Sequence, residues 1–275
     1  MKNKVIGIIY IIILIILIII SRNIIKETKD INTETRFEEQ IKKIPYYKEE
    51  NLKRYQNYKK QNKDYSNNEI ITNVNIGLDQ PFYTNIQPSP RTNTPQVLVT
   101  KYNYLEKDYV PKNLELINEK YSNTGMRLVK EARIAFESLA ENAAKDGFTI
   151  TAMSTYRSYS YQESLYNRYK EKDGVELTDT YSARAGHSEH QTGLAIDVYN
   201  KKQPYTSFEQ TKEFTWMQEN AYKYGYILRY PKDKEYITGY QYEPWHYRYV
   251  GTEISTYMQK HNITYDEYFI RNLET

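Results

Sequence analysis

SEHQTGLAID, residues 188 to 197, sets a histidine seven residues ahead of an aspartate, with Gly193 between them to permit a turn. Leu194 to Val198 reads as a strand, and its alternation puts Asp197 on the face opposite Ile196 and Val198. A carboxylate emerging from an otherwise apolar strand is expensive to bury unless it is paired or bound to a metal. His190 can reach the same point from the preceding loop. A second segment, EPWHYRYVG (243 to 251), carries His246 with Glu243 three residues before it, and Pro244 and Trp245 stiffen the turn between them. The sequence has four histidines and no cysteine, so any metal must be held by His, Asp or Glu. Two His and one Asp would leave a fourth position on zinc open for water, the arrangement a catalytic site needs. A carboxylate near the metal, but not on it, suits proton transfer from that water to a leaving amine. Spacing alone leaves a second reading open: an ExxH, or a His seven residues before an Asp, also arises by chance among polar residues satisfied in a core or at a surface.

Outward from this pair, the elements are those of an α+β domain with a small antiparallel sheet and flanking helices. Asn123 or Thr124 is expected to cap a helix carrying Leu128, Val129, Ala132, Phe136, Leu139 and Ala143 on one face and ending before Gly147. Phe148 to Met153 reads as a strand, and Ser160 with Glu163 as a capping box opening a second helix. Ser207, with Gln210, is expected to cap a third helix that bears Phe214, Met217 and Ala221 and stops at Gly225. Tyr226 to Tyr230 and Trp245 to Val250 complete the strands.

The chain is 275 residues long with a net charge of +3, too mild for a concentrated basic face, and nucleic acid is set aside as a partner. Residues 5 to 20 read VIGIIYIIILIILIII, sixteen apolar residues preceded by Lys2 and Lys4. At ~1.5 Å per residue this run spans roughly 24 Å, slightly short of a ~30 Å hydrocarbon core. It is expected to be an uncleaved membrane anchor (1–21), because no small-x-small cleavage pattern follows Ile20. The lysines before it are offset by Arg22, Lys26 and Lys29 after it, so charge does not fix its orientation. Residues 22–68, rich in Lys, Glu, Asn and Tyr, are expected to form a partly helical charged stalk that buries little, with the catalytic domain spanning 69–275.

SEHQTGLAID together with EPWHYRYVG resembles the D-alanyl-D-alanine carboxypeptidase family of zinc peptidases, the VanY type, whose signature pairs SxHxxGxAxD with a later ExWH. The similarity extends to IITNVNIGLDQPFYTN, STYRSYSYQESLY and NAYKYGYILRYPKDKEYITGY, and so covers nearly the whole expected domain. The resemblance implies the small α+β fold shared with the hedgehog signalling domain, one Zn²⁺ ion held by His190, Asp197 and His246, and Glu243 as the catalytic base. It implies Arg157 and Gln162 as a polar pair at the mouth of the site, Arg157 binding a terminal carboxylate or stabilising an oxyanion. Ser188, Tyr230 and Arg184 are the further candidates for substrate contact. In so tyrosine-rich a chain, with 31 Tyr, a single one such as Tyr230 is a weak signal. Relatives usually carry Pro where this chain has Ala185, a departure that bears on the loop holding His190 and on the contacts of Arg184. His187 is expected to be structural or to stand behind the ligands.

The implied activity is hydrolysis of the terminal D-Ala from peptidoglycan peptide stems, serving glycopeptide resistance or wall maturation. It places the catalytic domain outside the cell on a single-pass membrane protein. Two rivals remain at this level: an L,D-carboxypeptidase acting on tetrapeptide stems, and a non-catalytic zinc or wall-binding module.

Overall fold

Thr151–Ser154 (β1), Ala195–Tyr199 (β2), Tyr226–Leu228 (β3) and His246–Tyr249 (β4) form one antiparallel sheet in the order β1-β2-β4-β3. The computed structural model describes residues 2–274, with the side chains of 2–12 and of 30 outside the described set. The register pairs Ile196 with Tyr247 and Asp197 with His246. One face of the sheet is therefore apolar: Ile196, Val198, Tyr226 and Tyr247 join Ala132, Phe136, Leu139 and Ala143 of the helix Lys130–Lys145 in a single core. The opposite face of the two central strands carries Asp197, His246 and Arg248. Strand alternation thus sorts structure to one side and chemistry to the other.

The helix expected from Asn123 or Thr124 begins only at Lys130, because Arg127–Val129 is a strand paired antiparallel with Leu114–Leu116. Leu128 is fully buried as its period required, but a distant partner takes up its backbone, a tertiary contact that overrides local periodicity. Two caps also lie elsewhere. Ser158, not Ser160, caps Tyr159–Asp173, its hydroxyl accepting from the Tyr161 amide, and Thr211, not Ser207, caps Lys212–Asn220. The segment Tyr205–Gln210 is a 3-10 turn, and the helix it precedes gives way to a second one, Ala221–Tyr224, before Gly225. Gly193, at φ 68°, makes the turn between His190 and Asp197, where a Cβ would lie 2.8 Å from Leu114 Cδ2.

The chain divides into two compact units, residues 1–75 and 76–274, so the unit that carries the sheet begins after Glu69 rather than at it. The first unit is helical: Lys2–Ile41, Leu52–Gln61 and Asn67–Ile76. Its Ile41 and Tyr55 are fully buried against Ile70, Ile71 and Val74, which corrects the expectation of a stalk with little to bury. Its apolar residues are too sparse to show a period along the sequence and converge only when the helices pack. Among the described residues no helix is long and apolar enough to cross a membrane, and of the expected anchor the side chains of residues 5–12 lie outside the described set.

Candidate active site

His190 sits in the 3-10 turn Glu189–Thr192, Asp197 in β2 and His246 at the start of β4. All three are buried, and one donor atom from each lies within 4.8 Å of the others. His190 Nδ1 lies 2.6 Å from the Thr155 carbonyl, to which it donates, leaving the Nε2 lone pair to accept from Arg157 Nη2 at 3.0 Å, with Asp197 Oδ2 3.3 Å away. His246 Nδ1 lies 3.0 Å from Asp197 Oδ1. Donors on a tetrahedral zinc with bonds of about 2.0–2.2 Å are roughly 3.3–3.6 Å apart, so the set fits such an ion once Arg157 Nη2, which hydrogen-bonds both His190 Nε2 and Asp197 Oδ2, withdraws from those atoms. Burial and the neighbouring Arg157 lower His190 to about 4, keeping it neutral at pH 7 as a ligand must be. Burial alone would raise Asp197, but His190, His246 and Arg157 hold its carboxyl well below the usual range. At His246 burial is outweighed by the carboxylates of Asp197 and Glu189, which lift the imidazole to about 9.

Glu243 stands just off this group, its Oε2 3.7 Å from His246 Nδ1 and its side chain 12% exposed. Burial, the strongest influence, and the charge of Asp197 push it up to about 7 against the pull of His246 and Arg157. That value suits a group that must both accept and release a proton near neutrality. Arg157 enters from the start of the helix-bearing segment after β1. Its Nη2 lies 2.7 Å from Asp197 Oδ2 and 3.0 Å from His190 Nε2, its Nη1 donates to Gln162 Oε1, and its Nε donates to Ser154 Oγ. Buried Gln162 is fixed in turn by donating to the Ala183 carbonyl.

These residues line a pocket of about 410 Å³ together with Ser188 and Tyr230, so seven of the sequence-derived residues besides Glu243 converge there: the three donors, Arg157, Gln162, Ser188 and Tyr230. Arg184 does not join them. Its guanidinium is forked onto Asp179, at 3.1 and 2.7 Å, and lies over the Tyr83 ring, so it braces the loop rather than facing the cavity. His187 also stands apart, with Nδ1 2.8 Å from the Thr100 carbonyl. The sequence reading missed the aromatic wall, in which Tyr205 meets Trp245 edge-on at 4.9 Å, because nothing in its spacing separates those rings from the chain's many others. It also missed Glu189, which is fully buried between Arg229 and Arg248. The signal was Arg248, two residues after His246 on the same strand face, a buried cation that demands a buried anion.

Residues 125–252 match the VanY family, described as D-alanyl-D-alanine carboxypeptidase. A bifunctional D-Ala-D-Ala dipeptidase and D-Ala-D-Ala carboxypeptidase of Enterococcus gallinarum, VanXYC, is 36% identical over 178 residues, 62% of this chain and 91% of that protein. Among solved structures, the LdcB LD-carboxypeptidase aligns with a TM-score of 0.60 at 37% identity, covering 64% of this chain and 87% of that one. The D,D-pentapeptidase VanY of a VanB-type resistance cassette, solved in complex with Zn(II), aligns at 0.55 with 31% identity, covering 64% of this chain and 98% of that one. With the matched segment running from just before the strand Arg127–Val129 to just beyond β4, and so across every residue of the converged site, the chain belongs to the VanY family of D-alanyl-D-alanine carboxypeptidases.

Proposed function

We propose that this chain is a zinc-dependent D,D-carboxypeptidase that removes the terminal D-alanine from peptidoglycan stems. The observation that carries this reading is the convergence of His190, Asp197 and His246 beside a carboxyl, Glu243, raised to about 7. Zinc held by those three residues would supply Lewis acidity, making a water acidic and polarising the scissile carbonyl. Glu243 takes the proton of the attacking water and delivers it to the departing amine. Arg157, with its planar fork at the pocket, pairs with the terminal carboxylate or the developing oxyanion, and Gln162 keeps that fork aimed. Ser188 and Tyr230 offer hydroxyls to the peptide, and the Tyr205–Trp245 pair lines the pocket beside them with aromatic surface. The E. gallinarum relative, named for D-Ala-D-Ala chemistry, and the zinc-bound VanY structure support this choice of substrate and ion.

Cleavage of a tetrapeptide stem is a second reading, favoured by the likeness to LdcB, an LD-carboxypeptidase. The test is to give the full chain synthetic penta- and tetrapeptide stems and read products by mass spectrometry before chelation, after it, and after zinc return. Loss of one alanine from the pentapeptide, abolished by chelator and restored by zinc, is the expected result. Cleavage of the tetrapeptide alone would transfer the assignment to the L,D class, and no cleavage of either by folded, zinc-loaded protein would sink it in favour of a binding module.

The same reading places the enzyme in the cell membrane with its catalytic unit outside, anchored through residues 5–20. It rests on the sixteen-residue apolar run and on the exposure of Ile13 to Ile20, each between 44% and 59% exposed. Fractionation of cells making the full chain and a form lacking residues 1–21 checks it: the full chain should pellet with membranes, and recovery of both in the soluble fraction would refute the anchor.

A further inference from the structure

His246 offers Nδ1 to the metal site, so its proton must sit on Nε2, and a buried Nε2–H needs an acceptor. His246 Nε2 is buried without a hydrogen-bond partner, and so is Glu189 Oε2; the two lie 3.8 Å apart. That gap is too long for a hydrogen bond and too short for a bridging water, which needs roughly 4.5 Å or more between the groups it joins, so the pair closes directly by a small shift. The other oxygen of Glu189 is already engaged: Oε1 accepts from Arg229 Nε and from Arg248 Nη1, each at 2.8 Å. Arg248 directs its Nη2 to the Pro95 and Val97 carbonyls and its Nε to the Tyr249 carbonyl. Arg229 is held from the other side by Asp266, whose Oδ2 lies 2.6 Å from Nη1 and whose Oδ1 lies 3.4 Å from Nη2.

Asp266 belongs to the last helix, Tyr265–Asn272, beyond the segment that matches the family. By holding both terminal nitrogens of Arg229 it leaves only Nε for Glu189. Without it, Nε and Nη2 together would form the side-on fork that carboxylates prefer, and both Glu189 oxygens would be taken. With it, two buried cations face two buried anions, and one anionic oxygen is left over, aimed at His246. We propose that Glu189 fixes the metal-ligating tautomer of His246, and that Asp266 is a positioning residue for the metal site, acting from the C-terminal helix through Arg229 and Glu189. This rests on the assignment of His246 as a ligand. It gives the C-terminal helix a part in the reaction chemistry, and it explains why a glutamate beside the ligand His190 sits fully buried at the floor of the pocket, between two arginines.

The experiment measures the Zn²⁺ dissociation constant of the full chain by chelator competition, with thermal melting of the metal-free form recorded on the same samples. Asp266→Asn keeps the shape and removes the charge; it should weaken zinc about 10- to 100-fold, the range for loss of a residue that orients a ligand, and lower kcat with KM little changed. Asp266→Glu, which restores the charge, should recover most of that affinity. Should the Asn variant not fold, Glu189→Asp preserves the charge and withdraws the oxygen from His246 by one methylene, and the same loss of zinc is expected. In the zinc-loaded protein the His246 ring should show its proton on Nε2 by nitrogen-15 NMR, and that signal should shift in the variants. A variant that melts lower yet binds zinc within twofold of the parent would reduce Asp266 to a structural role and overturn the proposal. His246→Ala separates this from the underlying assignment: if it still binds zinc tightly, the ligand assignment itself fails, whereas loss of zinc there and not in Asp266→Asn rejects the relay alone.

Discussion

The guanidinium of Arg157 lies 2.7 Å from the carboxylate of Asp197, and the same nitrogen lies 3.0 Å from His190 Nε2. The cation that the proposed function assigns to substrate recognition is thus built against two of the three candidate metal donors, and under that reading one peptide end would meet both.

This proximity makes Arg157 sensitive to shape as well as charge. Arg157→Lys keeps the charge but loses the fork, and kcat/KM for a peptide stem should fall about 10²- to 10³-fold in steady-state kinetics. Gln162→Ala removes one tether of the guanidinium and leaves the Ala183 carbonyl unpaired, so a rise in KM of roughly tenfold is expected with kcat less affected. Equal losses from both variants would argue against the division of labour between them.

In its proposed role as base Glu243 would work only when ionised, and its carboxyl is raised from 4.5 to about 7. The kcat/KM profile should therefore rise with pH to a plateau above about 7. Glu243→Gln should lower kcat by ~10²–10⁴-fold and erase that limb while zinc content stays unchanged by metal analysis. The shift also bears on stability. Between 4.5 and about 7 the folded protein holds a proton that the unfolded chain has released, so this group costs stability as pH climbs through that window.

Metal binding at His246 has to displace a proton from an imidazole lifted to about 9. Chelator competition across pH should show zinc affinity rising about tenfold per pH unit below that value, one proton being released per ion. Chelation should also lower the melting temperature, since zinc at ~1,000 times its dissociation constant contributes about 4 kcal/mol. A melting temperature indifferent to chelator would contradict an ion bound among these donors.

Phe136 is buried in the main core and meets Tyr226 edge-on at 6.3 Å. Phe136→Ala should destabilise the fold by about 3–5 kcal/mol in urea titration, through lost burial and an unfilled cavity. Because Tyr226 pairs with Tyr249 at the edge of the sheet, this loss should loosen β3 against β4 before it reaches Asp197 on β2.

The amino-acid sequence by itself determined the family and, through the resemblance to it, the candidate donors His190, Asp197 and His246 with Glu243 beside them, because the two short segments that carry them match the family's signature although their spacing alone left a second reading open. It also determined the four strands of the sheet that carries the site, since alternation is a property of a few consecutive residues, and the α+β class that follows from them. Helix beginnings were less legible: the caps moved to Ser158 and Thr211, and Arg127–Val129 became a strand because its partner lies at residues 114–116. Only the tertiary structure decided that Asp197 pairs with His246 rather than with a neighbour one residue along, since register depends on which faces bury against the helix Lys130–Lys145. Only it turned Arg184 away to Asp179, gathered Ile41 and Tyr55 into a core, and set Asp266 behind Arg229. Buried charges are balanced by whatever lies nearest in space, and over separations of dozens of residues no local pattern records which group that will be.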